Sequence, residues 1–349
     1  MLAMFLILPV GVLAAMVLVQ LVCARIDSRK FAAPGELIAI PGAKMHVRRM
    51  GPDRIGQRED APAVVLESGI AASTLNWCML QPQLAEFSAT CSYDRAGFGW
   101  STTGDRAAAC TLHQITENLH ALLHAMDVPR PYILVAHSFG GYIVRSYAQK
   151  FSGEIAGLVL MDPLTPEEWV QASPAKLSML HRGVWFARIG GFFAAIGLIR
   201  GPLWLLQRGN RDVPRGLLSA FGPRATQRIT GLVRELSKLP PDVTRVIRAL
   251  WSTPKFYWTL AGYLQSLPGA AQELDATAFP AELPVTVLSG AHNPEERLQE
   301  HAAIARHSLR GKHIIADKSA HWIHLDQPEL VTEAVRELAN AAKAKVLAG

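Results

Sequence analysis

Cysteine is scarce in this chain and has no pattern. Cys23, Cys78, Cys91 and Cys110 are the only four among 349 residues, and they show neither C-x-x-C spacing nor a dense framework. That excludes a cysteine zinc site and a disulfide scaffold, and it leaves the redox compartment open. No Lys or Arg precedes Arg25, and Val22-Cys23-Ala24 is a poor small-x-small site, so the apolar N-terminus does not read as a cleaved signal peptide. No recognised nucleic-acid-binding motif accompanies the net charge of +6, so a nucleic-acid partner is not expected. Nor is the chain short of apolar residues, which make up 50% of it and argue against disorder. No metal or other cofactor is expected.

What is present begins with a long apolar run. Residues 1–24 are apolar apart from Gln20 and are closed by Arg25, Arg29 and Lys30. As a helix they would cover roughly 35 Å, enough for a hydrocarbon core of about 30 Å. We expect a retained single-pass anchor, and the positive-inside rule places the following domain on the cytoplasmic side.

The chain is organised around residues 132–145, Tyr-Ile-Leu-Val-Ala-His-Ser-Phe-Gly-Gly-Tyr-Ile-Val-Arg. Ile133 to Val135 reads as a buried strand, whereas Ile143, Val144, Tyr147 and Ala148 have helical spacing. The turn between them holds Ser138 among small residues. A serine at such a turn is strained, with its hydroxyl projecting, and the helix that follows aims free N–H groups at the same place. This is a nucleophile elbow, with Ala136 standing where G-x-S-x-G has its first glycine.

Upstream, 36–40 and 44–50 read as an edge hairpin around Pro41-Gly42-Ala43, and 51–61 as a polar loop. Residues 63–67 form a strand ending in Ser68-Gly69-Ile70-Ala71-Ala72, whose small residues let a backbone N–H, that of Ile70, approach an oxyanion. A helix is expected over 75–87 and a strand over 90–93. The strand leads into Asp94-Arg95-Ala96-Gly97-Phe98-Gly99-Trp100-Ser101, read as a loop ordered by hydrogen bonds and an ion pair. Apolar spacing over 112–126 predicts a helix on one sheet face.

Downstream, 157–162 reads as a strand with Asp162 at its carboxyl end, where ligand crevices of open α/β sheets lie; the same aspartate could simply order the next loop. The loop 289–296, after a strand at 284–288, carries no aspartate. The last strand, 312–316, leads to His321 and His324. An imidazole on that loop can take the serine proton, and His321 is the expected base, with His324 the local competitor. A closing amphipathic helix covers 329–347.

Taken in order, the strand, the small-residue loop, D-R-x-G-x-G-x-S, the serine elbow, the acid and the histidine resemble the α/β-hydrolase superfamily, in its lid-bearing, epoxide-hydrolase-like and esterase-like branch. The resemblance runs from about Leu37 through the closing helix, except across an insertion. It implies an α/β fold with a mostly parallel sheet flanked by helices. The expected layout is an anchor at 1–24, a core at 36–163 and 283–349, and a helical cap at 164–282. It further implies that Ser138 attacks an acyl carbon, that His321 carries the proton and that Asp162 orients the imidazole, with Glu295 or Glu296 as the fallback acid. The N–H groups of Phe139 and Ile70 would bind the oxyanion. Departures from the pattern are Ala136, Glu67-Ser68-Gly69 in place of His-Gly, and the missing acid in 289–296. A serine at the elbow sets the chain apart from relatives that use aspartate there, the haloalkane dehalogenases and epoxide hydrolases.

Residues 164–280 hold 14 Lys and Arg against 7 Asp and Glu, and 184–206 is rich in Trp, Phe, Ile, Leu and Gly, with Arg188, Arg200 and Arg208 nearby. A basic, aromatic surface beside an anchor would attract anionic lipid. Equally, its apolar side could pack on the core with the arginines solvated. The expectation is a membrane-anchored serine esterase for an apolar or lipid-like ester. Acyl transfer, amide hydrolysis or non-catalytic binding of a hydrophobic ligand are alternatives that use the same fold.

Overall fold

The computed structural model describes residues 2–51, 62–104, 110–207, 230–231, 233–274 and 279–348. The expected loop at 51–61 and Arg208 of the basic cluster lie almost wholly or wholly outside them. The described chain divides into two compact units, Met1–Ala33 with His181–Ala261, and Pro34–Leu180 with Gly262–Gly349.

The larger unit is built on eight strands: β1 (Glu36–Ile40), β2 (Ala43–Met50), β3 (Ala63–Glu67), β4 (Thr90–Tyr93), β5 (Tyr132–His137), β6 (Ile155–Met161), β7 (Val285–Gly290) and β8 (Gly311–Ala316). Their order across the sheet is β1-β2-β4-β3-β5-β6-β7-β8. β1 and β2 pair antiparallel as an edge hairpin, β2 joins β4 antiparallel, and every pair from β4 to β8 is parallel. β3, β5 and β7 are buried along their whole lengths, as their largely apolar sequences allow in a sheet covered on both faces. Val64, Leu66, Val135, Val159 and Leu288 form the centre of the core with Val331 and Val335 of the C-terminal helix.

Helices take their places by the same logic. In chain order the longer ones are α1 (Leu2–Lys30), α2 (Leu112–Ala125), α3 (Gly140–Lys150), α4 (Pro174–Ala195), α5 (Arg200–Gln207), α6 (Pro241–Trp251), α7 (Pro254–Glu273), α8 (Glu295–His307) and α9 (Pro328–Ala348). The Thr111 side chain caps α2 by accepting from the Gln114 N–H, and Leu119, Leu122 and Leu123 make its buried face.

One expected helix is divided. Residues 75–87 form a 3-10 turn, Thr74–Trp77, and a separate short helix, Gln81–Ala85. Ser73 and Asn76 close the first as a capping box. Pro82 sits at the start of the second, where its ring is tolerated but could not continue a helix from the preceding turn.

The smaller unit contains α1, whose segment Leu8–Lys30 is long and apolar enough to cross a membrane, with a mean hydropathy of 2.0 and 6% of it buried.

Candidate active site

β5 ends at His137 and α3 starts at Gly140, so Ser138 and Phe139 turn the chain. Ser138 has φ 54°, a left-handed conformation that costs a non-glycine residue about 1–2 kcal/mol. Hydrogen bonds hold it there. Its N–H donates to Met161 O at 3.0 Å, and its carbonyl accepts from Gly141 N–H at 2.9 Å and Leu164 N–H at 3.2 Å. Both glycines that follow are required by close approach: a Cβ at Gly140 would lie 2.7 Å from Glu67 O, and one at Gly141 would lie 2.8 Å from Pro163 Cβ. Ala136, at the position of the missing glycine, is fully buried in the strand.

The loop after β3 runs directly against this elbow. A Cβ at Gly69 would fall 2.9 Å from His137 Nδ1 and 3.4 Å from Ser138 Cβ. Side chains from elsewhere pin the loop: Trp77 Nε1–H donates to Ser68 Oγ at 2.8 Å, and the Arg95 guanidinium donates to Ser68 O and Gly69 O, each at 2.5 Å. Arg95 also pairs with buried Glu67, which in turn accepts from Tyr93. Burial outweighs the attraction of Arg95 and pushes the Glu67 carboxyl up to about 7. Ile70 is half-buried on this loop, and Phe139 is fully buried at the N-terminal end of α3, which no side chain caps. The two expected oxyanion donors therefore lie on segments that meet at Ser138.

Asp162 follows β6, the neighbour of β5, and also adopts a left-handed φ, 44°. Its side chain is 3% exposed and accepts from His321 Nδ1–H at 2.5 Å. The carboxylate fixes the tautomer, leaving the Nε2 lone pair of His321 as the basic atom. Gly290 N–H donates to the other Asp162 oxygen at 3.2 Å, and Asn293 Nδ2 donates to it as well. Burial works to raise this carboxyl, but the hydrogen bond and charge of His321, with Asn293 and Gly290, outweigh it and hold Asp162 below its usual 3.8. Glu295 and Glu296 instead occupy the exposed first turn of α8, where Glu295 accepts from Gln299.

His137 ties the loop of His321 to the elbow. Its Nε2–H donates to the His321 carbonyl at 2.8 Å, and the two rings lie 4.5 Å apart. Burial, followed by the neighbouring His321 and His324, drives its pKa well below 6.5, so the ring is neutral. His324 is buried between the rings of Trp77, at 4.9 Å, and His137, at 4.7 Å.

Ser138, His321, Asp162, Phe139 and Ile70 are thus brought to one place. His137, Asn293 and Arg95 support them and were not singled out from the sequence. Arg95 belongs to a loop expected to be ordered by hydrogen bonds and an ion pair, whereas no pattern in the sequence marked His137 or Asn293 for this part. Among the described residues, one group could hold a metal ion: His120, His124 and Glu154, with donor atoms within 4.8 Å of one another. It shares no residue with this site, and Arg130 already pairs with Glu154.

A family model described as the alpha/beta hydrolase family matches residues 64–334. The chain belongs to the alpha/beta hydrolase family. Within it, the chain is 38% identical over 100 residues to the uncharacterized protein YqjL of Bacillus subtilis, a match covering 29% of this chain and 39% of YqjL. The chain thus spans well under two thirds of that relative's length. It is 23% identical over 290 residues to the 1-acylglycerol-3-phosphate O-acyltransferase ABHD5 of Rattus norvegicus, covering 79% of this chain and 76% of that one. Its fold is similar to that of the enol-lactonase from Burkholderia xenovorans LB400, with a TM-score of 0.57, 17% identity, and coverage of 87% of this chain and 99% of the other. Members of this family are usually hydrolases.

Proposed function

We propose that this alpha/beta hydrolase is a serine hydrolase of an apolar carboxylic ester, anchored to a membrane by α1. The observation that carries the reading is a strained serine at the elbow after β5, flanked by a His321–Asp162 pair whose loop is bonded to the residue before that serine.

In this reading Ser138 Oγ attacks the acyl carbon while His321 Nε2 takes its proton. Negative charge gathers on the former carbonyl oxygen, where the Phe139 and Ile70 N–H groups stabilise it by about 3 kcal/mol per donor. Collapse breaks the bond to the alcohol, which leaves with the proton held by His321. Water then gives a proton to His321 as it attacks the acyl-enzyme, and His321 passes that proton to Ser138 Oγ as the bond between Oγ and the acyl carbon breaks and the carboxylic acid leaves. Asp162 stays ionised and stabilises imidazolium in both halves.

Hydrolysis of p-nitrophenyl esters over a series of acyl lengths tests this reading. Activity should vanish in Ser138→Ala and His321→Ala and fall strongly in Asp162→Asn, and a fluorophosphonate probe should label wild type but not Ser138→Ala. Full activity in Ser138→Ala would end the assignment. Similarity to rat ABHD5 favours a second reading, acyl transfer to a lysophospholipid. Adding such an acceptor to the assay divides the acyl group between water and acceptor and so separates the two.

A further inference from the structure

α1 contains one polar residue in its apolar stretch, Gln20, and that residue is 2% exposed. Its Nε2–H donates to Ser252 O at 2.9 Å, and its Oε1 accepts from Arg200 Nε–H at 2.6 Å. Arg200 also reaches Asp27, at 2.6 Å. A polar latch therefore fixes the start of α5 to the helix read as the anchor. Beside the latch, Val12, Met16 and Val19 of α1 and Ile196 and Leu198 line a cavity of 410 Å³. The turn between α4 and α5 thus lies against the middle of the apolar stretch.

Depth follows from helix geometry. With Arg25, Arg29 and Lys30 at a headgroup boundary, the 1.5 Å rise places Val19 about 9 Å and Val12 about 20 Å inside it, within a hydrocarbon core of about 30 Å. Anything packed on Val12 to Val19 shares that depth. Such a turn must satisfy its own backbone, since lipid offers no hydrogen bonds. Four of its N–H groups are bonded within it: Gly197, at φ 80°, ends α4 in a Schellman motif, with Leu198 N–H on Phe193 O at 2.9 Å and Gly197 N–H on Ala194 O at 3.2 Å. Ile196 N–H and Arg200 N–H are likewise bonded, to Phe192 O and Gly197 O. Arg200, at the end of the turn, is met by Asp27 and Gln20, as an intramembrane arginine requires, while Arg188 stands exposed farther back on α4.

The outward side chains fit the same environment. Trp185, Phe186, Phe192, Phe193, Leu198 and Trp204 are each at least 41% exposed, in the same compact unit as exposed Leu13, Leu18 and Leu21 of α1. Gly190 and Gly191 let α4 come close against the rings of Tyr257 and Trp258.

We propose that the α4–α5 segment is a re-entrant membrane element, immersed in the acyl chains of the bilayer that α1 crosses. This goes beyond adsorption of a basic surface to headgroups, and it rests on reading α1 as an anchor. The hydrolase would then meet its ester from within the lipid layer.

The full chain, reconstituted in phosphatidylcholine–phosphatidylglycerol vesicles, would be photolabelled with a carbene probe confined to acyl chains and read by peptide mass spectrometry. Label on α1 and also on residues 185–204 is expected. Label on α1 without 185–204 overturns the re-entrant element and leaves the anchor standing; label on neither overturns both. In a second measurement, Phe192→Cys should react with an impermeant maleimide no more than wild type until detergent is added, whereas Ser152→Cys, at an exposed site on the larger unit, reacts at once. Prompt reaction of Phe192→Cys in vesicles in which Ser152→Cys also reacts would overturn the proposal.

Discussion

His137 donates its Nε2–H to the main-chain carbonyl of His321 at 2.8 Å, across 184 residues of sequence. The residue that precedes the elbow serine therefore sets the position of the loop bearing the histidine, and it does so as a neutral ring. Removing it with His137→Ala should lower kcat about tenfold to a hundredfold through misplacement of His321, with KM little changed. Steady-state kinetics on the best ester give the split. The ring also has a pH signature: its folded pKa is depressed, so the unfolded chain takes a proton that the native site refuses. Wild type should lose stability as pH falls below about 6.5, and His137→Asn should lose less over the same range.

Asp162 is held ionised by His321, Asn293 and Gly290. Asp162→Asn should reduce kcat by about 10⁴, through loss of the correct tautomer. Asn293→Ala leaves the carboxylate one donor short, a loss of about 1–3 kcal/mol that should appear as a smaller fall in kcat and a lower Tm. Because the folded pKa of Asp162 is depressed, its contribution is complete above the unfolded value of about 4 and vanishes as pH falls through the folded value. The Tm gap between wild type and Asp162→Asn should therefore be constant at neutral pH and close only in strong acid.

Arg95 and Glu67 are a buried pair, 3% and 1% exposed. Arg95→Met removes the attraction that opposes burial at Glu67, so the carboxyl must take a proton to stay buried, and it leaves the carbonyls of Ser68 and Gly69 without their donor, at about 1–3 kcal/mol for each buried group left unpaired. The double variant Arg95→Met with Glu67→Gln should recover part of that in urea unfolding, but not the turnover, because the loop beside Ser138 is still unpinned.

Strain at Ser138 predicts a difference between two inactive variants. Ser138→Gly relieves the left-handed backbone and Ser138→Ala keeps it, so the glycine variant should be more stable by about 1 kcal/mol. Chemical denaturation of the two side by side measures it.

The sheet was legible because its chemistry is local. Unbroken apolar runs such as Ile133–Val135 and 157–161 can be buried on both faces only as parallel strands, and Ser138 is marked by the switch from strand to helix spacing around it. The 75–87 segment misled because its apolar positions fit a helix, while the Ser73 cap that starts the first turn and Pro82 that starts the second helix act on backbone rather than on pattern. The supporting groups were hidden for a different reason. Arg95 is 26 residues from Gly69, Asn293 is 131 from Asp162, and His137 is 184 from His321. No periodicity reports partnerships at such separations, and an arginine next to an aspartate invites pairing with it, whereas Arg95 turns to Glu67.

Ser138 and Asp162 each end one of two adjacent parallel strands, β5 and β6. Their separation is set by backbone pairing, at about 4.8 Å between strands, and not by any connecting loop. The long segment between Asp162 and β7 can lengthen, shorten or be exchanged without disturbing that distance, so the chain can vary there while Ser138 and Asp162 keep their places.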